Sequence, residues 1–443
     1  MRLILLICSF AGFLTACGGG GGVGGGSGSN SNNVPGLPTP GTSPVPTSLS
    51  LMAQLGEKIF NDRHLSGSAR MSCATCHEPG FFHGPPNAQP VQVGGQFETE
   101  FGVRAAPSLR YLERNPAFTL GSGRADELRG GLMADGRANT LAQQARLPFF
   151  NALEMDNVDA ADLARKVRAS VYADLFAQVF GNSNSGSVAD ADTTLMQIQQ
   201  ALQAFQLEDP RFHPYDSKYD GYLAGQVSLT AAEQRGLQVF NDPQRGNCHA
   251  CHSSTSNDGK PPLFTNFSYA ALGVPRNPLI AKNADATYFD LGLCGPNRSD
   301  LNNAQYCGLF RTPGLRNVAK RPSFFHNGVM HSLLQVVQFY NTRDTQPELW
   351  YPNLGGVALA GNDPGLAQFG LVKTAYRGGQ VLKFDDLPLP YQPNINARVP
   401  LDGRAAGSRP AMSNQEMKDL VCFLQTLTDH YQAAAVAPDV DCI

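Results

Sequence analysis

A repeated unit constrains this chain more than any other feature. Gly56-Glu57-Lys58-Ile59-Phe60-Asn61-Asp62 leads into Cys73-Ala74-Thr75-Cys76-His77. Later, Gly236-Leu237-Gln238-Val239-Phe240-Asn241-Asp242 leads into Cys248-His249-Ala250-Cys251-His252. Each lead-in has the spacing of a short amphipathic helix closing at Asn-Asp. The second opens with a capping box, Thr230 to Glu233. Two thiols one helical turn apart, followed at once by an imidazole, suit covalent attachment of haem c. The thiols reach the two vinyl groups and the histidine is directed at the iron. With 10 cysteines and 9 histidines in the chain, one such pattern arises by chance in roughly one sequence in two hundred. Two behind the same lead-in are far rarer. Zinc would want four ligands grouped together, and a redox dithiol does not need the histidine. His77 and His252 are therefore expected as proximal ligands of haem irons 1 and 2, with Cys73, Cys76, Cys248 and Cys251 as the attachment points.

A cytochrome c unit that begins this way usually ends with a helix packed across the first. Leu195, Ile198, Leu202 and Phe205 have the spacing of such a closing helix. So do Met417, Leu420, Val421, Leu424 and Leu427, behind a second capping box at Ser413 and Glu416. The 443 residues, 42% hydrophobic, suffice for two cores. The expected class is mainly α, two cytochrome c-like domains in tandem over 49–225 and 226–443, the boundary falling around Gly221 to Ser228. With 46 glycines and 31 prolines, the helices should be joined by long ordered loops. Strands are hard to find. A net charge of −3 gives no basic surface for nucleic acid.

The N-terminus reads as an export signal over residues 1–17. Arg2 precedes an apolar run, Leu3 to Phe13, too short to span a bilayer. Leu14-Thr15-Ala16-Cys17 has the shape of a lipobox, with Cys17 as the lipidated residue. Residues 18–48, rich in Gly, Ser, Asn and then Pro, form a tether with a reach of roughly 30 Å. The expected location is the periplasmic or cell-surface side of the outer membrane, held by lipid alone. Cys294, Cys307, Cys422 and Cys442 remain after the signal and motif cysteines are assigned. Of three pairings, Cys294–Cys307 with Cys422–Cys442 is the most economical.

The sixth iron position decides function, since a carrier fills it and an enzyme leaves it open. Distal candidates are His64, Met71, His83, Met133, Met155, His326, His331 and Tyr340.

From Leu55 onward the chain resembles the bacterial di-haem cytochrome c peroxidase and MauG family. Beyond the haem motifs, the resemblance rests on Asp135-Gly136-Arg137-Ala138, Gln144-Ala145, Pro148, Asn151 and Glu154-Met155. It rests also on Phe310-Arg311-Thr312-Pro313, Leu315-Arg316-Asn317-Val318, Phe325-His326-Asn327-Gly328 and Phe339-Tyr340-Asn341. It implies a peroxide site at the first haem and electron entry or charge storage at the second. Glu154 would move a proton between the peroxide oxygens, and Gln144 would help orient it. Without the resemblance, Glu154 would pass for a solvated loop carboxylate. Tyr340 falls where the family places the distal ligand of the second haem. Electron-accepting peroxidases resemble one another in having methionine there, and MauG-like members have tyrosine. A phenolate lowers the reduction potential, which suits holding oxidising equivalents. The plainer alternative makes Tyr340 a core aromatic on a helix with Val336 and Val337. Met330 is its nearest rival as a ligand.

Three departures stand out. Ala134 replaces the tryptophan that many members have between the haems, and the sole tryptophan, Trp350, is far away in sequence. The inter-haem calcium site is often associated with an asparagine after an arginine, whereas Arg104 precedes Ala105. Arg321 and Ser323 stand where threonine and proline are usual. Backbone carbonyls could still serve, which leaves calcium open. His83, in Phe82-His83-Gly84, would block the peroxide site if it reached the iron. The leading expectation is an enzyme that reduces hydrogen peroxide and oxidises an electron-donor cytochrome or other redox protein. The alternatives are MauG-like oxidation of residues on a partner protein, and an electron-transfer cytochrome without catalysis. Assembly as a homodimer stays open.

Overall fold

Each lead-in becomes a helix, and each helix meets a closing helix as the repeat requires. The computed structural model describes residues 48–181, 188–354, 357–358, 376–377, 380–432 and 442. The expected signal, Cys17 and all of the tether except Ser48 lie outside the described residues. The helices are α1 (Leu51–Asn61), α2 (Cys73–Cys76), α3 (Leu141–Phe149), α4 (Ala160–Arg168), α5 (Ala173–Phe180), α6 (Val188–Glu208), α7 (Lys218–Leu223), α8 (Ala231–Asn241), α9 (Leu333–Thr342) and α10 (Asn414–Gln425). The expected class is the observed one, mainly helical with long irregular connections. Among the described residues, strands are confined to two-residue antiparallel pairings. Val93–Gly94 (β1) pairs with Glu100–Phe101 (β2), and Tyr269–Ala270 (β3) with Phe310–Arg311 (β4). Among the described residues, no helix is long and apolar enough to cross a membrane.

Local chemistry explains where the repeat helices start and stop. Ser50 caps α1 by accepting from Ala53 N at 3.1 Å. Thr230 and Glu233 form the expected box on α8, and Ser413 and Glu416 form the one on α10. α1 and α8 both end at Asn with Asp as the C-cap, in extended conformation.

Helices α1 and α6 pack across each other in the first half, and α8 and α10 do so in the second. The glycine that opens each lead-in lies at the crossing. A Cβ on Gly56 would overlap the carbonyl oxygen of Ala201, and one on Gly236 would overlap that of Asp419. The backbones therefore touch, and the flanking side chains form a core on each side of them. Leu55, Ile59 and Phe60 meet Leu195, Ile198, Leu202 and Phe205. Val239 and Phe240 meet Met417, Leu420, Val421, Phe423 and Leu424.

The two cores are joined by a fully buried carboxylate. Asp429 accepts hydrogen bonds from Arg110 Nη1 at 2.7 Å, the Tyr111 hydroxyl at 2.5 Å and Asn317 Nδ2 at 2.7 Å. Tyr111 N in turn donates to Phe212 O, in the first core, at 2.8 Å. Cys294 is bonded to Cys307 and Cys422 to Cys442, which is the economical pairing. The second disulfide fastens α10 to the end of the chain.

Gly56→Ala or Gly236→Ala should force a crossing apart, at about 1–3 kcal/mol for overpacking a well-filled contact. Urea unfolding of the haem-loaded protein measures this, and an unshifted midpoint would mean that the helices do not touch.

Candidate functional site

The two motifs fold into the same local geometry. In the first, the helical turn α2 closes with His77 N donating to Cys73 O at 2.9 Å; in the second, His252 N donates to Cys248 O at 2.7 Å. That bond closes each motif as a tight turn. The rings are then locked from behind, His77 Nδ1 lying 3.0 Å from Pro107 O and His252 Nδ1 lying 2.9 Å from Phe264 O. A carbonyl acceptor fixes the proton on Nδ1 and leaves Nε2 as the ligating atom, as histidines that hold metals are usually arranged. Burial pushes the His77 pKa down to about 4 and lowers that of His252, so both rings are neutral donors at neutral pH.

Both motifs line one cavity of about 810 Å³. The four motif cysteines are free thiols, and burial pushes Cys73 up to about 12 and Cys76 up to about 11. A redox dithiol needs a depressed thiol pKa, so these pairs are not built for that chemistry. Among the described residues, no group of three His, Cys, Asp or Glu is placed to hold a metal ion. A large cavity with two free thiol pairs and two back-bonded imidazoles fits two haems.

The first motif has Glu154 beside it. This carboxylate lines the cavity, and its charge pushes the Cys76 thiol up, which places the two groups within electrostatic reach. Asn151 Nδ2 donates to Glu154 Oε1 at 2.8 Å. Desolvation raises the Glu154 pKa, opposed by the Asn151 bond and by the charge of Arg137. The supporting loop is held at several points. Gly67 N donates to Met155 O at 2.6 Å, Gly95 N donates to Glu154 O at 2.8 Å, and a Cβ on Gly94 would strike Leu153. Gln144, on α3, is buried and lines the same cavity. The Asp135-Gly136-Arg137 segment supplies Arg137, which Asp135 Oδ2 holds at 2.5 Å while also accepting from Arg104 at 2.7 Å.

Near the second motif, α9 presents Leu333, Val336, Val337 and Tyr340 to the cavity, one face of a helix at successive turns. The Tyr340 hydroxyl makes no hydrogen bond among the described residues. Its pKa is raised chiefly by burial and next by Cys251 and Cys248, so it stands close to the second cysteine pair. Met330 is buried in the second core and off the cavity wall.

The other distal candidates divide clearly. His64 and His331 are exposed and away from the cavity, whereas Met71, Met133, Met155 and His326 line it. His326 stacks on Phe310 with ring centroids 3.7 Å apart. His83 is buried against Phe212 at 4.0 Å, outside the lining, with Arg110 Nε 3.4 Å from its Nδ1. It does not block the cavity.

Comparison with known proteins agrees with this geometry. The sequence profile of the di-haem cytochrome c peroxidase family matches residues 50–228. The methylamine utilization protein MauG of Paracoccus denitrificans is 35% identical over 66% of this chain and 74% of its own length. This chain belongs to the di-haem cytochrome c peroxidase family. Cytochrome c551 peroxidase of Pseudomonas aeruginosa is 29% identical over 64% of this chain and 70% of its own. The crystal structure of the diheme peroxidase BthA from Burkholderia thailandensis superposes with a TM-score of 0.72, at 38% identity and 86% coverage of both chains. As a family member the protein is a di-haem oxidoreductase of peroxidase type, with two haems as its cofactors.

Two family features take a different form here. Ala134 is on the cavity wall, and its carbonyl accepts from Arg311 N at 2.8 Å. Trp350 is off the lining, donating to Thr342 Oγ1 at 3.0 Å and packed edge-on to Phe339. It is a packing residue behind α9. The calcium expectation does not fit the loop before His326. Ala105 has no side-chain oxygen, and the carbonyls of Ser323 and Ala106 already accept from the Arg321 guanidinium at 3.2 and 3.1 Å. A calcium ion at about 2.3–2.6 Å from such an oxygen would meet a like charge.

The sequence reading recognised Asn151 as part of a motif and missed its task. The Asn-x-x-Glu spacing to Glu154 was the available signal. It missed the cavity-facing role of Phe310 altogether.

Proposed function

We propose that this protein reduces hydrogen peroxide in the part of the cavity beside Cys73 and His77, with Glu154 as its acid–base group. The observation that carries this reading is a desolvated carboxylate facing the cavity next to the first motif, with one oxygen tied to Asn151 and the other without a hydrogen bond among the described residues. His77 and His252 would hold the two irons, the four motif cysteines would form thioethers, and Tyr340 would be the distal ligand of the second iron. When bound, the two haems supply the electrons that cleave the O–O bond and store the oxidising equivalents.

The chain's own task is to move a proton. Ionised Glu154 accepts one from the peroxide oxygen nearer the iron and returns it to the departing oxygen, which leaves as water. Gln144, buried on the same wall, orients the peroxide. Asn151 holds the carboxylate in place by donating to Oε1. The apolar lining keeps bulk water away from the exchange. The electrons are replaced by a cytochrome or another redox protein.

A second reading concerns that donor. Tyr340 lies on the cavity face of α9, while Met330 is buried elsewhere. An anionic ligand at the second iron favours long-lived oxidising equivalents, which suits oxidation of residues on a partner protein, as in MauG-like chemistry. We further propose that the tandem domains span 49–225 and 226–443, and that export and lipidation at Cys17 hold the protein on the periplasmic or outer face of the outer membrane. Homodimer formation would be compatible with either location.

Glu154→Gln should slow peroxide consumption about 10²- to 10⁴-fold; stopped-flow mixing that shows an undiminished rate would remove Glu154 from the mechanism. In the wild type the rate should fall as pH drops through the raised Glu154 pKa, above the usual value of about 4.3, because the protonated acid cannot accept. The Gln variant should lack this limb, and Asn151→Ala should move it to higher pH. Tyr340→Phe should alter the visible and EPR spectrum of the second haem alone, and unchanged spectra would exclude this ligand. Intact mass of protein extracted from membranes should include two haems and a lipidated Cys17. Haem released by acid acetone, or an unmodified N-terminus, would overturn the corresponding assignment.

A further inference from the structure

Arg321 is a charged side chain on the cavity wall. It lines the cavity in the loop that leads to His326, and it has no carboxylate partner among the described residues. Its Nε donates to Ser323 O at 3.2 Å and its Nη2 to Ala106 O at 3.1 Å. Burial pulls its pKa down to about 10 with no acid to restore it, so it remains a full positive charge at neutral pH. Desolvating a guanidinium costs several kcal/mol unless something offsets it.

The surrounding bonds show what the charge faces. Three successive residues form a strap between this loop and the first haem motif. Ala105 N donates to His326 O at 2.8 Å, Ala106 O accepts from Arg321, and Pro107 O lies 3.0 Å from His77 Nδ1. The guanidinium is thus one residue along the backbone from the carbonyl that orients the His77 imidazole. Its charge also lies within electrostatic reach of that ring.

We propose that Arg321 is the resident cation of the first haem site, occupying the gap between the strap and the His326 loop where a divalent ion would otherwise sit. It is a positioning residue. It fixes the strap that orients His77, and its charge favours the reduced state of the iron that His77 holds. No metal is needed for either task. The inference rests on His77 as an iron ligand, and it concerns the potential of that haem rather than peroxide turnover.

The test is potentiometric titration of the haem-loaded protein, followed by visible and EPR spectra. In the wild type, neither EGTA nor added calcium should shift either haem, and elemental analysis should find no stoichiometric calcium. Arg321→Gln keeps an amide donor and loses the charge, so the first haem's potential should fall while the second's moves less. Arg321→Lys should restore most of the loss. A wild-type potential that EGTA shifts and calcium restores would overturn the proposal, as would an unchanged first-haem potential in folded Arg321→Gln protein. If the Gln variant does not fold, the Lys variant and the calcium comparison decide. A wrong assignment of His77 shows itself differently, because the first-haem signal would then survive replacement of His77 in the otherwise unaltered protein.

Discussion

The architecture depends on two places where helix backbones touch. At each, a glycine lets the lead-in helix lie directly on its closing helix, Gly56 against Ala201 and Gly236 against Asp419. This contact sets the angle from which Phe60 and Phe240 enter their cores. It also fixes where the chain emerges toward the cysteines. A wider crossing would move each Cys-x-x-Cys-His segment relative to the wall it must share with the cofactor. The site is therefore set by packing well away from the chemistry.

The charged groups on the cavity wall differ in how they are neutralised. Arg104 and Arg137 are neutralised by Asp135, with Asp290 sharing Arg104. Among the described residues, Arg311 and Arg321 have only neutral acceptors, Met133 O and Asn115 Oδ1 for the former. Glu154 is the opposite case, a carboxylate at the same wall with a neutral donor as its closest partner. Unpaired charge in a desolvated site acts over longer range than in water. The same wall carries Ala134, the Phe310–His326 stack and Arg104 lying 5.6 Å over the Phe310 ring.

Much of this was legible in the residues themselves. The repeat, both capping boxes, both closing helices and the haem motifs follow from local rules about spacing and hydrogen bonding, and each appears where those rules put it. Glu154 and Tyr340 were harder. A glutamate in a loop and a tyrosine on an amphipathic helix have ordinary explanations, and only resemblance singled them out; the fold then brought both to the cavity. What stayed illegible depends on contacts between distant segments. Nothing local to Arg321 reveals that its guanidinium meets Ala106 O, or that Asn151 turns toward Glu154 rather than solvent. Calcium was left open for the same reason, since carbonyl ligands carry no side-chain signature and their availability is a tertiary fact.

Asp429 couples the two cores through one carboxylate. Its carboxylate satisfies Arg110 and Tyr111 from one side and Asn317 from the other. Parting such a buried set by removing one member costs about 3–5 kcal/mol. A change at Arg110 on one side therefore also disturbs the partner of Asn317 on the other, so the stability of each core is tied to that of its neighbour.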